Sequence, residues 1–234
     1  DERFTHLDGK TLRFCIEDMN IEGEWPVLHR KTILPYSLLD ESLLFGTNKG
    51  RKLKKNGLLN LDPPPRFDLV IVDEAHHIRN TETFAHKAVR FFADNAEAVL
   101  FLTATPIQLG NNDLFVLLNV LRPDLIIDIQ SFSHMSEPNP FINQAVNAMR
   151  GQLPDWQETA REQLLQAVQT PWGKSILSNN PNYIDAVEKL SNKLVDPEQR
   201  IKLLNQVDSL HTFAGIINRT RRRDIGDFTI RTPN

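Results

Sequence analysis

Two short apolar runs bracket a helical segment, and that arrangement constrains the fold more than any other stretch of the chain. Phe67-Asp68-Leu69-Val70-Ile71-Val72 reads as one strand and Ala98-Val99-Leu100-Phe101-Leu102-Thr103 as another. Between them Phe84, Ala85, Ala88, Phe91 and Phe92 recur at helical spacing, with Asn80 or Thr81 placed to cap the helix. Strands alternating with helices imply a parallel sheet with helices on its faces. The tail from Leu69 to Val72 has the pattern of a strand buried on both sides. Leu12 to Ile16 and Lys31 to Tyr36 are predicted as two further strands. A second helix is predicted from about Asn112 through Leu114, Phe115, Leu117, Leu118 and Leu121, and it must stop before Pro123.

Beyond Pro123 the strand signals fade. Pro154 stands where a first helical residue belongs, followed by Trp156, Ala160, Leu164, Leu165 and Val168. Asp196-Pro197 pairs an N-cap with proline at the first helical position, and Leu203, Leu204, Val207, Leu210 and Phe213 form an apolar stripe. Trp156 and Trp172 fit helical-core positions better than base-stacking platforms. The expected organisation is an α/β domain over 1–122, an α-helical subdomain over 123–215, and a basic segment over 216–234.

Composition excludes several classes. The chain has 234 residues, 40% hydrophobic and 24% charged, which is ordinary globular usage and neither disordered nor low-complexity. Its single cysteine, Cys15, permits no internal disulfide and points to a reducing, cytoplasmic setting. The longest apolar runs fall far short of the ~20 residues a membrane span needs, so no membrane partner is expected. The chain opens on a charged segment without an initiator Met, as a piece of a longer protein would. The net charge of −3 argues neither for nor against nucleic acid. Local charge says more: from Ser42 to Leu61 stand Lys49, Arg51, Lys52, Lys54 and Lys55 with no acidic residue. Arg219, Arg221, Arg222 and Arg223 form a second cluster. Each is either a solvated loop or a contact to phosphates.

The sharpest chemical signal is Val70-Ile71-Val72-Asp73-Glu74-Ala75-His76, an apolar strand that ends in adjacent carboxylates. In a parallel α/β sheet, ligands gather at the carboxyl ends of the strands. Two acids there suit phosphoryl transfer: Asp73 can hold Mg²⁺ through water, and Glu74 can orient and deprotonate an attacking water. Taken alone, such a pair also ends strands as a solvated turn. Leu102-Thr103-Ala104-Thr105-Pro106 ends the next apolar strand with two hydroxyls one residue apart. If the strands are neighbours, Thr103 and Thr105 come within hydrogen-bonding range of the acids and can report the state of a phosphate site. The alternative is a hydroxyl pair that caps the following turn. His76, His77 and His86 invite a zinc reading, but no cysteine or carboxylate completes a tetrahedral set.

These two motifs, in this order and spacing, resemble the second and third signature motifs of superfamily-two helicases, and the details resemble the Swi/Snf-like DNA translocases. Thr105-Pro106-Ile107-Gln108 matches that family's version, and Asp113, Leu114, Phe115, Leu117 and Leu118 follow in its register. Ile33-Leu34-Pro35-Tyr36-Ser37-Leu38-Leu39 resembles the family's earlier Tyr-containing strand motif. Arg219-Thr220-Arg221-Arg222-Arg223-Asp224 resembles the basic block that closes its first lobe after a helical protrusion. Leu109-Gly110, where two asparagines are usual, resembles the bacterial subgroup that includes RNA-polymerase-associated remodellers. The resemblance implies an incomplete RecA-like lobe of an ATPase with an Asp-Glu-Ala-His box. Its cofactors are ATP and Mg²⁺, and its track is double-stranded DNA near the bacterial nucleoid. The catalytic set is Asp73, Glu74 and His76; Thr103, Thr105 and Gln108 serve coupling; Tyr36 and Ser37 face nucleic acid, as Lys52 and Lys54 do if the basic loop binds phosphates. An RNA helicase with the same box, and a non-catalytic module whose helical part binds a protein partner, are the competing classes.

A phosphate-binding loop is missing from this pattern. Gly9-Lys10-Thr11 has the right tail, but Phe4 occupies the position of the loop's first glycine, and the residues after it read as a strand where a helix must begin. Gly173-Lys174-Ser175 fails too, with Val168 at the glycine position. The chain on its own is therefore expected to hydrolyse ATP negligibly.

Overall fold

The computed structural model describes residues 4–47, 55–103, 110–151, 154–192 and 196–218. The chain divides into two compact units, over 1–129 and 130–234.

In the first unit, β1 (Thr5–His6) leads into α1 (Gly9–Glu22), and β2 (Thr32–Ile33) returns parallel to β1. The segment Leu12 to Ile16 is thus part of a helix, not the strand its local pattern predicts. The longer window explains why: Leu12, Cys15, Ile16 and Met19 recur at helical spacing and are all buried. The ends are specified as well. Asp8 caps the first turn by accepting from the Thr11 N–H at 2.7 Å, and Gly23, at φ 75°, closes the last turn with its N–H on Met19 O.

The apolar face of α1 packs with Leu39, with Leu43 and Leu44 of α2 (Glu41–Phe45), and with Leu58 and Leu61. Each such side chain contributes about 1.5–3 kcal/mol on burial. After α2 the chain is pinched at Thr47 and Lys55, whose backbones exchange hydrogen bonds of 3.1 and 3.4 Å. Gly46 (φ 78°) and Gly57 sit in this pinch, where a Cβ on either would strike backbone atoms.

β3 (Phe67–Val72), α3 (Phe84–Asp94) and β4 (Ala96–Phe101) form the strand–helix–strand unit, and β3 pairs parallel with β4. The N-cap of α3 is Thr83, which accepts from the His86 N–H. Asn80 instead caps the preceding turn by accepting from the Glu82 N–H. Val72 is buried against Ala75, Ile78, Val89 and Leu117. The other side of the ribbon differs from expectation: Leu69 and Ile71 are 54% and 55% exposed, as are Leu100 and Leu102 at 46% and 45%. Among the described residues only one face of β3 and β4 is covered, because α3 and the turn after β3 both pack on that face. α4 (Asn111–Leu121) starts at Gly110 and ends, ahead of Pro123, with the Arg122 N–H on Leu118 O.

The second unit is helical. α5 (Ile129–Ser136) enters it, followed by α6 (Asn139–Gly151), α7 (Trp156–Gln169), α8 (Pro171–Ile176), α9 (Pro181–Ser191) and α10 (Pro197–Asp208). Pro154 lies in a turn before α7, whose N-cap is Asp155, so the proline is outside the helix it was expected to open. Asp196 caps α10 with Pro197 at its start, and Leu203, Leu204, Val207, Leu210 and Phe213 are buried. Phe213 stacks on Phe132 at 5.1 Å. Trp156 packs at the margin of this core under the Arg200 guanidinium, 4.9 Å from the ring centroid, while Arg200 also bonds Met149 O.

Candidate functional site

The register of the ribbon builds the site. Val72 stands opposite Phe101, so β3 and β4 end together. Backbone pairing continues beyond them: Leu102 N–H reaches Val72 O at 2.9 Å and Ala75 N–H reaches Leu102 O at 2.8 Å. Asp73 and Glu74 are thereby held beside Leu102 and Thr103 at the carboxyl ends of both strands. Both carboxylate residues are exposed, whereas Ala75 and Ile78, which begin and end the 3-10 turn Ala75–Ile78, are fully buried and anchor it.

The backbone at Glu74 is unusual. Its φ is 48° and ψ 47°, the left-handed region, and among the described residues it is the only non-glycine with positive φ. That conformation costs about 1–2 kcal/mol for an L-residue and must be held by its surroundings. The Glu74 N–H donates to Asp73 Oδ1 at 2.9 Å. The Glu74 carbonyl accepts from the His77 N–H at 3.0 Å. The Tyr36 hydroxyl donates to the Asp73 carbonyl at 2.9 Å, and the Tyr36 ring meets His77 edge-on at 5.7 Å. Burial first, then the nearby Asp73 and Glu74 charges, push the Tyr36 phenol up to about 12, so it stays a donor throughout the working range.

His76 Nδ1 lies 3.2 Å from Glu74 Oε2, and the buried nitrogen makes no hydrogen bond. The contact is electrostatic and becomes an ion pair when the imidazole is protonated. His76 and His77 lie ring against ring at 4.4 Å. His86 serves the scaffold: buried, it bonds Ile78 O through Nδ1 at 2.8 Å. Behind the acidic turn, Arg79 lies 3.7 Å from Asp113 in the first turn of α4. That pair ties the turn after β3 to the helix after β4.

Of the residues singled out in the sequence, Asp73, Glu74, His76, Tyr36 and Thr103 come together at this end of the ribbon. Ser37, next to Tyr36, is exposed. Thr105, Gln108, Lys52 and Lys54 lie outside the described residues, as do Lys49, Arg51 and the arginines from 219 onward. Lys55, the last of the basic run, pairs with Glu17 of α1 at 2.5 Å. The Tyr36–Asp73 contact escaped sequence reasoning because it joins residues 37 apart with no shared periodicity. Arg79 escaped too, although Asp113 was in view.

The two phosphate-loop look-alikes resolve on local chemistry. Gly9-Lys10-Thr11 does open a helix, which removes one ground for rejecting it. The Asp8 carboxylate, however, takes both the Thr11 N–H and the Thr11 hydroxyl, at 2.7 and 2.8 Å. An acid seated on that helix end repels a phosphate. Gly173 lies inside α8, where its N–H binds Thr170 Oγ1 and a Cβ would strike Ala167 O. The Asp73 carboxylate has the hard oxygens and the open position that suit Mg²⁺, which keeps several of its waters and needs few protein ligands.

Residues 44–200 match the SNF2-related domain. The chain is 29% identical over 175 residues to the RNA polymerase-associated protein RapA of Pasteurella multocida (strain Pm70), covering 72% of this chain and 17% of that protein. It is 37% identical over 124 residues to the RNA polymerase-associated protein RapA of Haemophilus influenzae (strain PittEE), covering 49% of this chain and 13% of that protein. The chain thus spans less than a fifth of the length of either relative.

Proposed function

The chain belongs to the SNF2-related domain family, and from that premise we propose that it is part of the first motor lobe of an ATP-driven translocase on double-stranded DNA. The observation that carries this is the paired ending of β3 and β4, which sets Asp73 and Glu74 beside Thr103 in an open position. In the proposed mechanism Glu74 orients and deprotonates the attacking water. Asp73 would hold Mg²⁺, and His76 steadies the Glu74 carboxylate across 3.2 Å. Bound Mg²⁺ with ATP supplies the charge neutralisation that phosphoryl transfer requires.

Thr103, Thr105 and Gln108 are proposed to pass the state of this site to the DNA track. Tyr36, Ser37, Lys52 and Lys54 are proposed to lie along the duplex. The phosphate loop is assigned to a part of the protein outside this sequence, because Asp8 occupies the candidate helix end. The chain alone is therefore proposed to be inactive. The helical unit is the proposed platform for a protein partner, with RNA polymerase the candidate named by the relatives. No helix among the described residues is long and apolar enough to cross a membrane, and the proposed setting is the bacterial cytoplasm, at the nucleoid.

The test is Glu74→Gln in the full-length protein. Nucleotide binding should persist and steady-state ATP hydrolysis should fall by about 100-fold or more, the scale of losing a general base. Undiminished turnover would return Asp73 and Glu74 to the role of a solvated turn.

A further inference from the structure

We infer that Tyr36 is a positioning residue for the acidic turn, its hydroxyl fixing the peptide between Asp73 and Glu74 so that Glu74 is kept in the left-handed conformation. The inference rests on the proposed catalytic role of Glu74 and adds how that side chain is aimed.

One peptide plane carries both the Asp73 carbonyl and the Glu74 N–H. The carbonyl end accepts from the Tyr36 hydroxyl at 2.9 Å. The N–H end is held by Asp73 Oδ1 at 2.9 Å. Flipping this plane is the cheapest way for Glu74 to leave φ 48° and relax to the conformations L-residues prefer. A flip would break both bonds at once and release Glu74 from the left-handed conformation on which the shape of the acidic turn depends. The next peptide is pinned independently, by Ala75 N–H on Leu102 O at 2.8 Å.

Among the described residues, Tyr36 is the one clamp on this plane that comes from outside the acidic turn. It is itself well placed to serve. It follows Pro35 and opens a 3-10 turn closed by Leu39 N–H on Tyr36 O at 3.1 Å. Its ring packs partly buried between the α1–α2 core and the core beneath β3. It also meets His77, whose N–H binds the Glu74 carbonyl. A strained residue in an active turn persists where its surroundings over-determine it, and here the Tyr36 hydroxyl supplies the tertiary clamp on the peptide before Glu74, as Leu102 O does on the peptide after it. This places the residue on the catalytic turn, in addition to any contact the neighbouring Ser37 makes with a duplex.

The experiment compares Tyr36→Phe, Tyr36→Leu and Glu74→Gln in the full-length protein, measuring kcat, KM for ATP and Tm. Tyr36→Phe keeps the ring and removes the hydroxyl. It should lower kcat about three- to tenfold, the scale of one neutral hydrogen bond, with KM and Tm at wild-type values. Tyr36→Leu should also lower Tm, because it removes the ring from both cores. Tyr36→Phe turnover equal to wild type, with Glu74→Gln inactive, overturns the positioning role alone. A Tyr36→Phe loss in which kcat, KM and Tm move together also overturns it, since that is the mark of a purely structural residue. A fully active Glu74→Gln overturns the catalytic assignment of the acidic turn itself.

Discussion

At the scale of single residues, the end of the β3–β4 ribbon brings together groups whose separate chemistries are ordinary. Glu74 is an exposed carboxylate, Thr103 a hydroxyl residue one step beyond the last ladder bond, and Tyr36 a phenol with a ring in the core. Geometry brings them together: the Tyr36 hydroxyl and the Asp73 carboxylate hold the peptide before Glu74, and Leu102, which precedes Thr103, pairs with the backbone on both sides of the acids. Thr103 follows Leu102, whose N–H and carbonyl both belong to the β3 pairing. Leu102 thereby joins the acidic turn to the start of the segment that carries Thr105. Replacing Thr103 and Thr105 by alanine in the full-length protein should lower the ratio of DNA-stimulated to unstimulated ATP turnover. A coupling of about 1 kcal/mol would show as about fivefold. An unchanged ratio, measured at saturating duplex, would remove both threonines from the coupling path.

At the scale of elements, short helices depend on their caps. α2 has only five residues, and Asp40 accepts from the Leu43 N–H at 2.8 Å while Leu43 and Leu44 are buried. The Leu43 N–H, chiefly, holds the Asp40 carboxyl below its ordinary value of 3.8, and the Ser42 hydroxyl adds to this. A depressed carboxyl contributes stability above its unfolded value and loses it as pH falls through the folded one. Asp40→Ala should cost about 1 kcal/mol near neutral pH. Asp40→Asn should cost less and should flatten the loss of Tm as pH is lowered beneath 3.8. A steeper acid loss in Asp40→Asn than in wild type would contradict the cap.

The same scale shows what the sequence made legible. The bounds of β3 could be read directly because Phe67 to Val72 is short, β-branched and flanked by prolines and acids. α10 could be read from Asp196-Pro197 and its stripe. α1 was hidden because Leu12-Arg13-Phe14-Cys15-Ile16 alternates over a few residues, and its helical period emerges only when Met19 and the Asp8 cap are included. The exposed Leu69 and Ile71 show the limit of reading burial from an apolar run: the pattern tells that a face is apolar, not that something covers it. The acids were legible because they end a strand. The tyrosine that steadies them was not, because nothing local in the chain connects residue 36 to residue 73.

At the scale of the whole molecule, the two compact units carry their probes unequally. Cys15 is the chain's single cysteine, has no exposed surface, and sits in the first unit. Burial, and secondarily Asp18, push its thiol up to about 11, so in the native fold near neutral pH it is neither reachable nor ionised. The second unit has no thiol but holds Trp156 and Trp172. Alkylation therefore acts as a stopwatch for the first unit alone, ticking only when α1 lifts away, while indole emission is weighted toward the second. With iodoacetamide near neutral pH, labelling should be far slower than in urea-unfolded chain and should accelerate with each increment of denaturant. Immediate labelling of native protein would show that α1 does not stay seated. Run side by side, the thiol clock gives the first unit a melting curve of its own, and the indole signal, with Trp25 in the first unit and Trp156 and Trp172 in the second, gives one weighted toward the second, without any engineered label.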